Sequence, residues 1–401
     1  MSNILVTNAL VAKEALAILQ NMVSFAKNVN RDFESEFTGN QDRGYSPGQT
    51  INIKRPPRYT YRAGRVALPQ ATVETSIPIT LQQGGADINF LMLEKTLTLQ
   101  NFEKKMMAAV ITVVNEIDRQ GLDMARRTTA NLVGTPGTPP NSQAAALALL
   151  TNGGRILNEM AAPQTDRLLV VNPAMNANIL QGFTGMFNPA ATNSAGFKQG
   201  MIQSMLGFDV AMDQNVSRHV NGTQAAATAT VNGAGQSGST LIVTALGGTI
   251  TVGTVFTIAG VNAVNPQSRQ DTGSLQQFVA TANVAAGATI IPIFPAITAA
   301  GAFQTVTASP ANGAAITIVG AAGAAYDTNV LFHRDAYTLA MVPMAEPMKN
   351  AGAQVSQMSD DGFTVKVTTG YDTINDNQIT RLDVLFGWAA PYAELATKVV
   401  A

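Results

Sequence analysis

The chain has 401 residues, with 25 Lys+Arg against 26 Asp+Glu, two histidines and no cysteine, for a formal net charge of -1. Near-neutrality argues against a protein whose main task is binding nucleic acid, because counterion release needs a surplus of positive charge. The lack of cysteine removes disulfides, thiolate nucleophiles and thiolate metal sites, and the apolar runs are too short to span a bilayer.

The start, MSNILVTNALVAKEALAILQNMVSF, has no basic leader, and Lys13 and Glu14 interrupt its apolar part, so no signal peptide is expected. Apolar periodicity over 8–29, with Leu10, Ala17, Val23 and Phe25 on one side, predicts a helix that packs on a partner. Residues 40–90 are rich in Gly, Pro and Thr, and INIKRP (51–56) and TVETSIPITL (72–81) are predicted as two long strands of an extended loop. Pro47, Pro56, Pro57, Pro69 and Pro78 each remove a ladder donor, which predicts an edge or projecting hairpin. From about Leu93 to Ala130 a long helix is predicted, with Phe102, Met106, Val110, Val113, Ile117 and Met124 recurring at helical steps and Asp123 one turn from Arg127. It stops before GTPGTPP (134–140).

A second helix is predicted from Ser142 to about Met160, with Gly153-Gly154 as a candidate break. RLLVVNP (167–173) is predicted as a buried strand leading into the helix AMNANIL (174–180). GMIQSMLGFDVAMD (200–213) is predicted as helix, stop at Gly207, then strand. Residues 329–344 are predicted as strand then helix, and residues 360–400 as two strands joined by a long turn with a final helix or strand.

Residues 222–325 interrupt this pattern, carrying only two charges, Arg269 and Asp271. They consist of β-branched runs, STLIVTAL (239–246), TVFTIAGV (254–261), LQQFVATA (275–282), TIIPIF (289–294), QTVTA (304–308) and AAITIV (314–319), separated by Gly, Pro and Asn. Such runs predict a small all-β barrel or sandwich inserted into a loop of an α+β host.

The order of VVNPAM, GMIQSMLGFDV, LFHRDAYTLA and a closing RLDVLFGW resembles the major capsid proteins of tailed phages with the Hong Kong 97-type fold. FTIAGVNAVNPQSRQDTGSLQQFV (256–279) resembles the inserted domain of coat proteins of P-22-type short-tailed phages. The resemblance covers nearly the whole chain through the order of its elements, since shell proteins bind one another through extended surfaces and carry no short chemical signature. It implies an α+β capsid fold with an N-terminal arm (1–40), an extended projecting loop (41–90), a spine helix and central domains (91–222 and 326–401), and an inserted β-barrel domain (223–325). It implies a shell-forming subunit of an icosahedral capsid enclosing double-stranded DNA, built from hexamers and pentamers of itself in the host bacterial cytoplasm. A scaffolding protein and a portal are implied partners, DNA is touched only by weak non-specific contact, and no membrane or cofactor is involved. The loop would lie over a neighbouring subunit, with the insert on the outside of the shell.

Motifs of catalysis do not hold up in context. Gly233-Ala-Gly235-Gln-Ser-Gly238 has the letters of a dinucleotide fingerprint, but a strand follows where phosphate binding needs a helix N-terminus. His219 and His333 are too few for a His-rich metal site, and His333 fits a hydrogen-bonded structural role. Asp360-Asp361-Gly362 is hairpin chemistry, and Asp372, Asn375, Asp376 and Asn377 lack the glycine and bidentate Glu of a calcium loop. No catalytic, cofactor or metal residues are assigned, and no enzymatic activity is expected. An adhesin-like surface β-protein is the alternative that the Thr/Gly/Ala-rich insert supports.

The candidate contact residues are Arg43, Lys54, Arg55, Arg58, Arg62 and Arg65, because no acidic residue stands between Asp42 and Glu74. They can contact phosphates, form a solvated face, or pair with acidic patches on a neighbouring chain. Tyr45, Tyr59 and Tyr61 are interleaved with them, and Tyr with Arg on a Pro-stiffened loop favours an inter-subunit contact over nucleic acid.

Overall fold

The computed structural model describes residues 24–33, 49–67, 69–91, 102–183, 204–225, 228–345, 353–360, 363–374 and 377–401. They divide into two compact units, one of residues up to 53, 76–121 and 338–389, the other of 54–75, 122–337 and 390–401. The predicted helix over 8–29 lies outside the described residues as far as 23. Its described end is a single 3-10 turn at Ala26–Asn28 rather than α-helix.

In the first unit, Gln82–Leu91, Thr338–Met341, Ala353–Asp360, Phe363–Asp372 and Asn377–Ala389 form a five-stranded sheet in which the long 377–389 strand is central. Thr338–Met341, predicted as helix, is a strand paired with 386–389, and all four of its residues are buried. A helix exposing one side to water could not bury four consecutive side chains, whereas a strand covered on both faces does. Beside it, Thr50–Arg55 pairs with Thr75–Thr80 as a two-stranded sheet. The loop's base is packed rather than free, because Ile53, Ile79 and Leu81 are buried with Ala340, Val342 and Ala389.

Helix α1 (Phe102–Thr128) carries Val110, Val113, Val114, Ile117, Leu122 and Ala125 as its buried stripe. The expected Asp123–Arg127 pair forms, and Arg126 joins it at 2.7 Å.

In the second unit, a six-stranded mixed sheet runs in the order 131–133, 396–399, 329–333, 167–171, 208–212 and 204–205. Helices α2 (Gln143–Glu159) and α3 (Pro173–Gly182) share its core, with Leu150, Leu157, Ile179, Leu169 and Leu331 in one cluster. Ser142 caps α2 by accepting from Ala145 N, and Asn172 caps α3 with Pro173 in first position. Helix α2 is continuous through Gly153-Gly154, because a Cβ at Gly153 would come to 3.0 Å from Leu331 and the glycine lets the helix lie close on the sheet. Ser204–Met212, expected to begin as helix, is a hairpin whose turn residues Leu206 and Gly207 have φ of 53° and 85°. Two successive positive φ values make the tight turn whose twist suits a hairpin. Residues 200–203 lie outside the described set.

Residues 229–318 form a six-stranded antiparallel sheet of Ala229–Thr230, Gly238–Ile242, Val255–Val264, Asp271–Ala280, Ile290–Ile297 and Ala315–Ile318. It closes on itself through the Val231–Val243 bridge, with Asn232 N–H donating to Ile242 O at 3.0 Å and Thr244 N–H to Thr230 O at 2.9 Å. Phe256 and Phe278 face each other in register inside, ring centroids 6.0 Å apart, among Leu241, Ile258, Ile291 and Ile316. The segment 304–308, predicted as a strand, makes only the single bridge Val306–Ala263.

Candidate assembly surface

The loop between Thr50–Arg55 and Thr75–Thr80 keeps its shape without strands. Pro56 and Pro57 interrupt any ladder just past the first strand, and side chains take over the pairing. Gln70 Oε1 accepts from Thr60 N–H and Gln70 Nε2 donates to Thr60 O, both at 2.8 Å, while the Tyr59 hydroxyl lies 3.2 Å from Thr72 Oγ1. At the tip Gly64 has φ of 92°, a left-handed turn suited to glycine. The Arg62 guanidinium folds back to donate to the carbonyls of Gly64 and Val66. Tyr61 is 91% exposed and Val66 77% exposed.

The six candidate contact residues fall into different environments. Arg43 lies outside the described residues. Lys54 pairs with Glu74 at 2.9 Å in solvent, and the Glu74 hydrogen bond raises its pKa. Arg55 and Arg58 both reach Glu394, each at 3.3 Å and largely covered, a partner that sequence spacing did not suggest. Arg55 also donates to Pro391 O and stands over the Tyr392 ring, and Arg58 stands over the Phe303 ring. Arg269 fixes the same limb by donating to Tyr59 O at 2.7 Å. That leaves Arg62 and Arg65. Among the described residues Arg62 meets backbone carbonyls and no carboxylate, and no side chain pairs with the exposed Arg65.

The barrel, by contrast, joins its surroundings through a buried polar neck. Its two crossing chains pair as Arg218–Val220 with Ala325–Asp327. Gln277 donates to and accepts from the backbone of Leu132, and Val255 and Val279 pack on Leu132 and Val400. The turn 251–254 meets the end of α1, where Arg126 donates to Val252 O at 3.1 Å and Lys398 Nζ donates to Gly253 O at 2.9 Å. Gly253, with φ of 93°, permits this approach, since a Cβ there would stand 3.0 Å from the Arg126 carbonyl oxygen.

His219 lies between these cations, 1% exposed, with Nδ1 3.1 Å from Arg126 Nη1. A guanidinium only donates, so Nδ1 accepts and the proton sits on Nε2, beside Asn221 Oδ1 at 3.1 Å and Thr254 Oγ1 at 3.2 Å. Burial first, then Lys398 and Arg126, push the His219 pKa down to about 3. Burial and the nearby Arg126 likewise push Lys398 well below the usual lysine range. Burial opposes ionisation of Asp123, but Arg126 and Arg127 outweigh it and keep its pKa low. The neck therefore holds a neutral His219, a Lys398 whose charged form burial disfavours, and Arg126 paired with Asp123.

The other residues weighed for chemistry are structural here. Gly233, Gly235 and Gly238 all have positive φ and form a turn leading into a strand, with Gln236 bonded to its carbonyls. His333 is buried and accepts from Asp335 N–H at 3.2 Å, capping a 3-10 turn. Asp360 faces Phe363 across a two-residue connection, and Asp372 accepts from Ile374 N–H within a hairpin turn, while residues 361, 362, 375 and 376 lie outside the described set.

An exposed loop on a packed base, a spine-like helix and a barrel on a two-chain stalk define a shell-forming subunit of the tailed-phage, Hong Kong 97-type class. A solved structure from Mycobacterium phage Che8 superposes with a TM-score of 0.52 at 12% identity, covering 94% of this chain and 90% of that one. The asymmetric unit of the bacteriophage PhiM1 mature capsid gives 0.44 at 10% identity, over 88% and 81% of the two chains. The CUS-3 coat protein I-domain matches at 31% identity, with a TM-score of 0.19, over 24% of this chain and 96% of its own length. No curated protein matches the chain. Residues 9–396 match the family model described as P22 coat protein, gene protein 5, and the chain belongs to that family. It is a structural subunit of a phage capsid that assembles with copies of itself into a shell of capsomers. The adhesin-like reading is thereby set aside.

Proposed function

We propose that the tip of the 54–75 loop is an inter-subunit contact in this shell, with Arg62 and Arg65 meeting acidic side chains of a neighbouring copy and Tyr61 and Val66 supplying apolar area. The carrying observation is the contrast within the loop: its limbs are tied down by Glu394 and Gln70, while its tip presents two cations with no carboxylate partner among the described residues, beside exposed apolar side chains. Tyr and Arg are enriched at such contacts. Lys54, Arg55 and Arg58 support the tip through pairs within the chain, and Arg43 keeps its place as a candidate contact on sequence grounds. Residues 223–325 form an inserted domain displayed on the outside of the shell. The shell is built from hexamers and pentamers in the bacterial cytoplasm with a scaffolding protein and a portal, and it touches its double-stranded DNA only by weak non-specific contact. The family is structural, and the subunit carries no catalysis.

Co-expression with the neighbouring phage proteins followed by electron microscopy tests the reading. Closed shells are expected, and a protein that stays monomeric at high concentration would overturn it.

A further inference from the structure

In the first unit, residues 24–30 contain one three-residue turn, too little local structure to hold a position alone. They are held by α1. The Asp118 carboxylate, 1% exposed, accepts three consecutive backbone N–H groups: Ser24 at 3.0 Å and Phe25 at 3.4 Å on Oδ2, and Ala26 at 2.9 Å on Oδ1. Successive amides aimed at one anion form a nest, and bonds to a charged acceptor are about twice as strong as neutral ones. The neighbouring carboxylates of α1 serve other partners, Glu116 pairing with Arg119 and Asp123 with Arg126 and Arg127.

One turn along α1, Gly121 makes room for the same segment. A Cβ there would stand 2.8 Å from the Phe25 ring and 2.6 Å from the Trp388 ring. Phe25 is fully buried in this notch, its ring centroid 5.4 Å from that of Trp388. At the far end, Asn30 O accepts from Leu339 N–H at 3.0 Å and from Thr338 Oγ1 at 2.8 Å. The segment is thus pinned at both ends, and at 24–26 the Asp118 carboxylate takes three successive backbone amides.

We propose that Asp118 is the positioning residue for the chain at 24–26: it fixes these residues on α1, and closed-shell assembly depends on that anchorage. The inference rests on membership of the coat-protein family and is independent of the role given to the loop tip.

Asp118→Asn keeps the volume but turns one acceptor into a donor, and Asp118→Ala removes both acceptors. Hydrogen exchange on the unassembled subunit reads the nest, and electron microscopy after assembly reads the consequence. Amides 24–26 should exchange about tenfold faster or more in both variants, the factor that losing one charge-assisted bond implies. Strand 255–264 should keep its protection, and particles should be open or misshapen. Unchanged protection at 24–26, or lost protection with normal closed shells, would overturn the proposal. Should Asp118→Ala fail to fold, Asp118→Asn carries both readouts. Charge reversal at Arg62 and Arg65 leaves amides 24–26 protected, so a failure of the loop assignment is separately visible.

Discussion

Residues 229–318 and residues 54–75 differ in what holds them. The barrel closes on its own hydrogen bonds around an apolar core, and the polar groups at its attachment are buried and hydrogen-bonded within the chain. The loop has a packed base, a clamp of glutamine and tyrosine along its limbs, and a tip whose charge and apolar surface find little among the described residues. A segment that satisfies itself keeps its shape without a partner, whereas an exposed tip has charge and apolar area to offer another molecule. The proposed division, with the loop tip at the contact between subunits and the barrel displayed, rests on this difference.

The largest expected effect breaks the barrel's self-sufficiency. Phe278 is fully buried opposite Phe256, and Phe278→Ala should destabilise the barrel by about 3–5 kcal/mol. Hydrogen exchange in the intact chain should show protection lost across 255–264 and 271–280 while strand 363–372 is unaffected.

Acid should act at the neck next. The His219 pKa falls from 6.5 to about 3 on folding, so its contribution is complete above pH 6.5 and is lost as pH falls from 6.5 toward 3, where the unfolded chain binds the proton and the folded one does not. At pH 4 that amounts to about 3 kcal/mol. Denaturant titrations at pH 7 and pH 4 should show the loss in the natural chain and a shallower one in His219→Gln. An unchanged slope would show that the histidine charges without disturbing the neck.

Much of this contrast was legible in the sequence, and the remainder was not for physical reasons. The barrel announced itself because β-branched alternation and a hundred-residue charge desert are local properties, as was the start of the helix at Ser142. The anchoring of Arg55 and Arg58 was not visible because Glu394 lies more than 330 positions away. Lys398 in ATKVV gave no sign of burial, since a charged residue in a strand ordinarily faces water. The latch at Asp118 is a side chain on backbone amides, which leaves no pattern in the letters of residues 24–26. The helix expected after the strand within 329–344 failed because a short apolar run fits either period, and only the pairing of 338–341 with 386–389 decides between them.

A smaller effect separates the loop's limbs from its tip. Arg58→Glu would set two carboxylates together at Glu394 and should cost the isolated subunit about 1 kcal/mol, as expected for a partly covered pair. A thermal melt of the unassembled chain measures it, and the same melt on Arg62→Glu should show no shift.

The most direct test is charge reversal at the tip alone, Arg62→Glu with Arg65→Glu, followed by assembly and electron microscopy at low and high salt. Arg58 is left in place because its partner is internal. The melting temperature of the unassembled subunit should stay unchanged, while assembly should fail or require added salt, since repulsion at a contact is screened by ions. Normal closed shells from the reversed protein at every salt concentration would contradict the assignment of this loop to the contact between subunits.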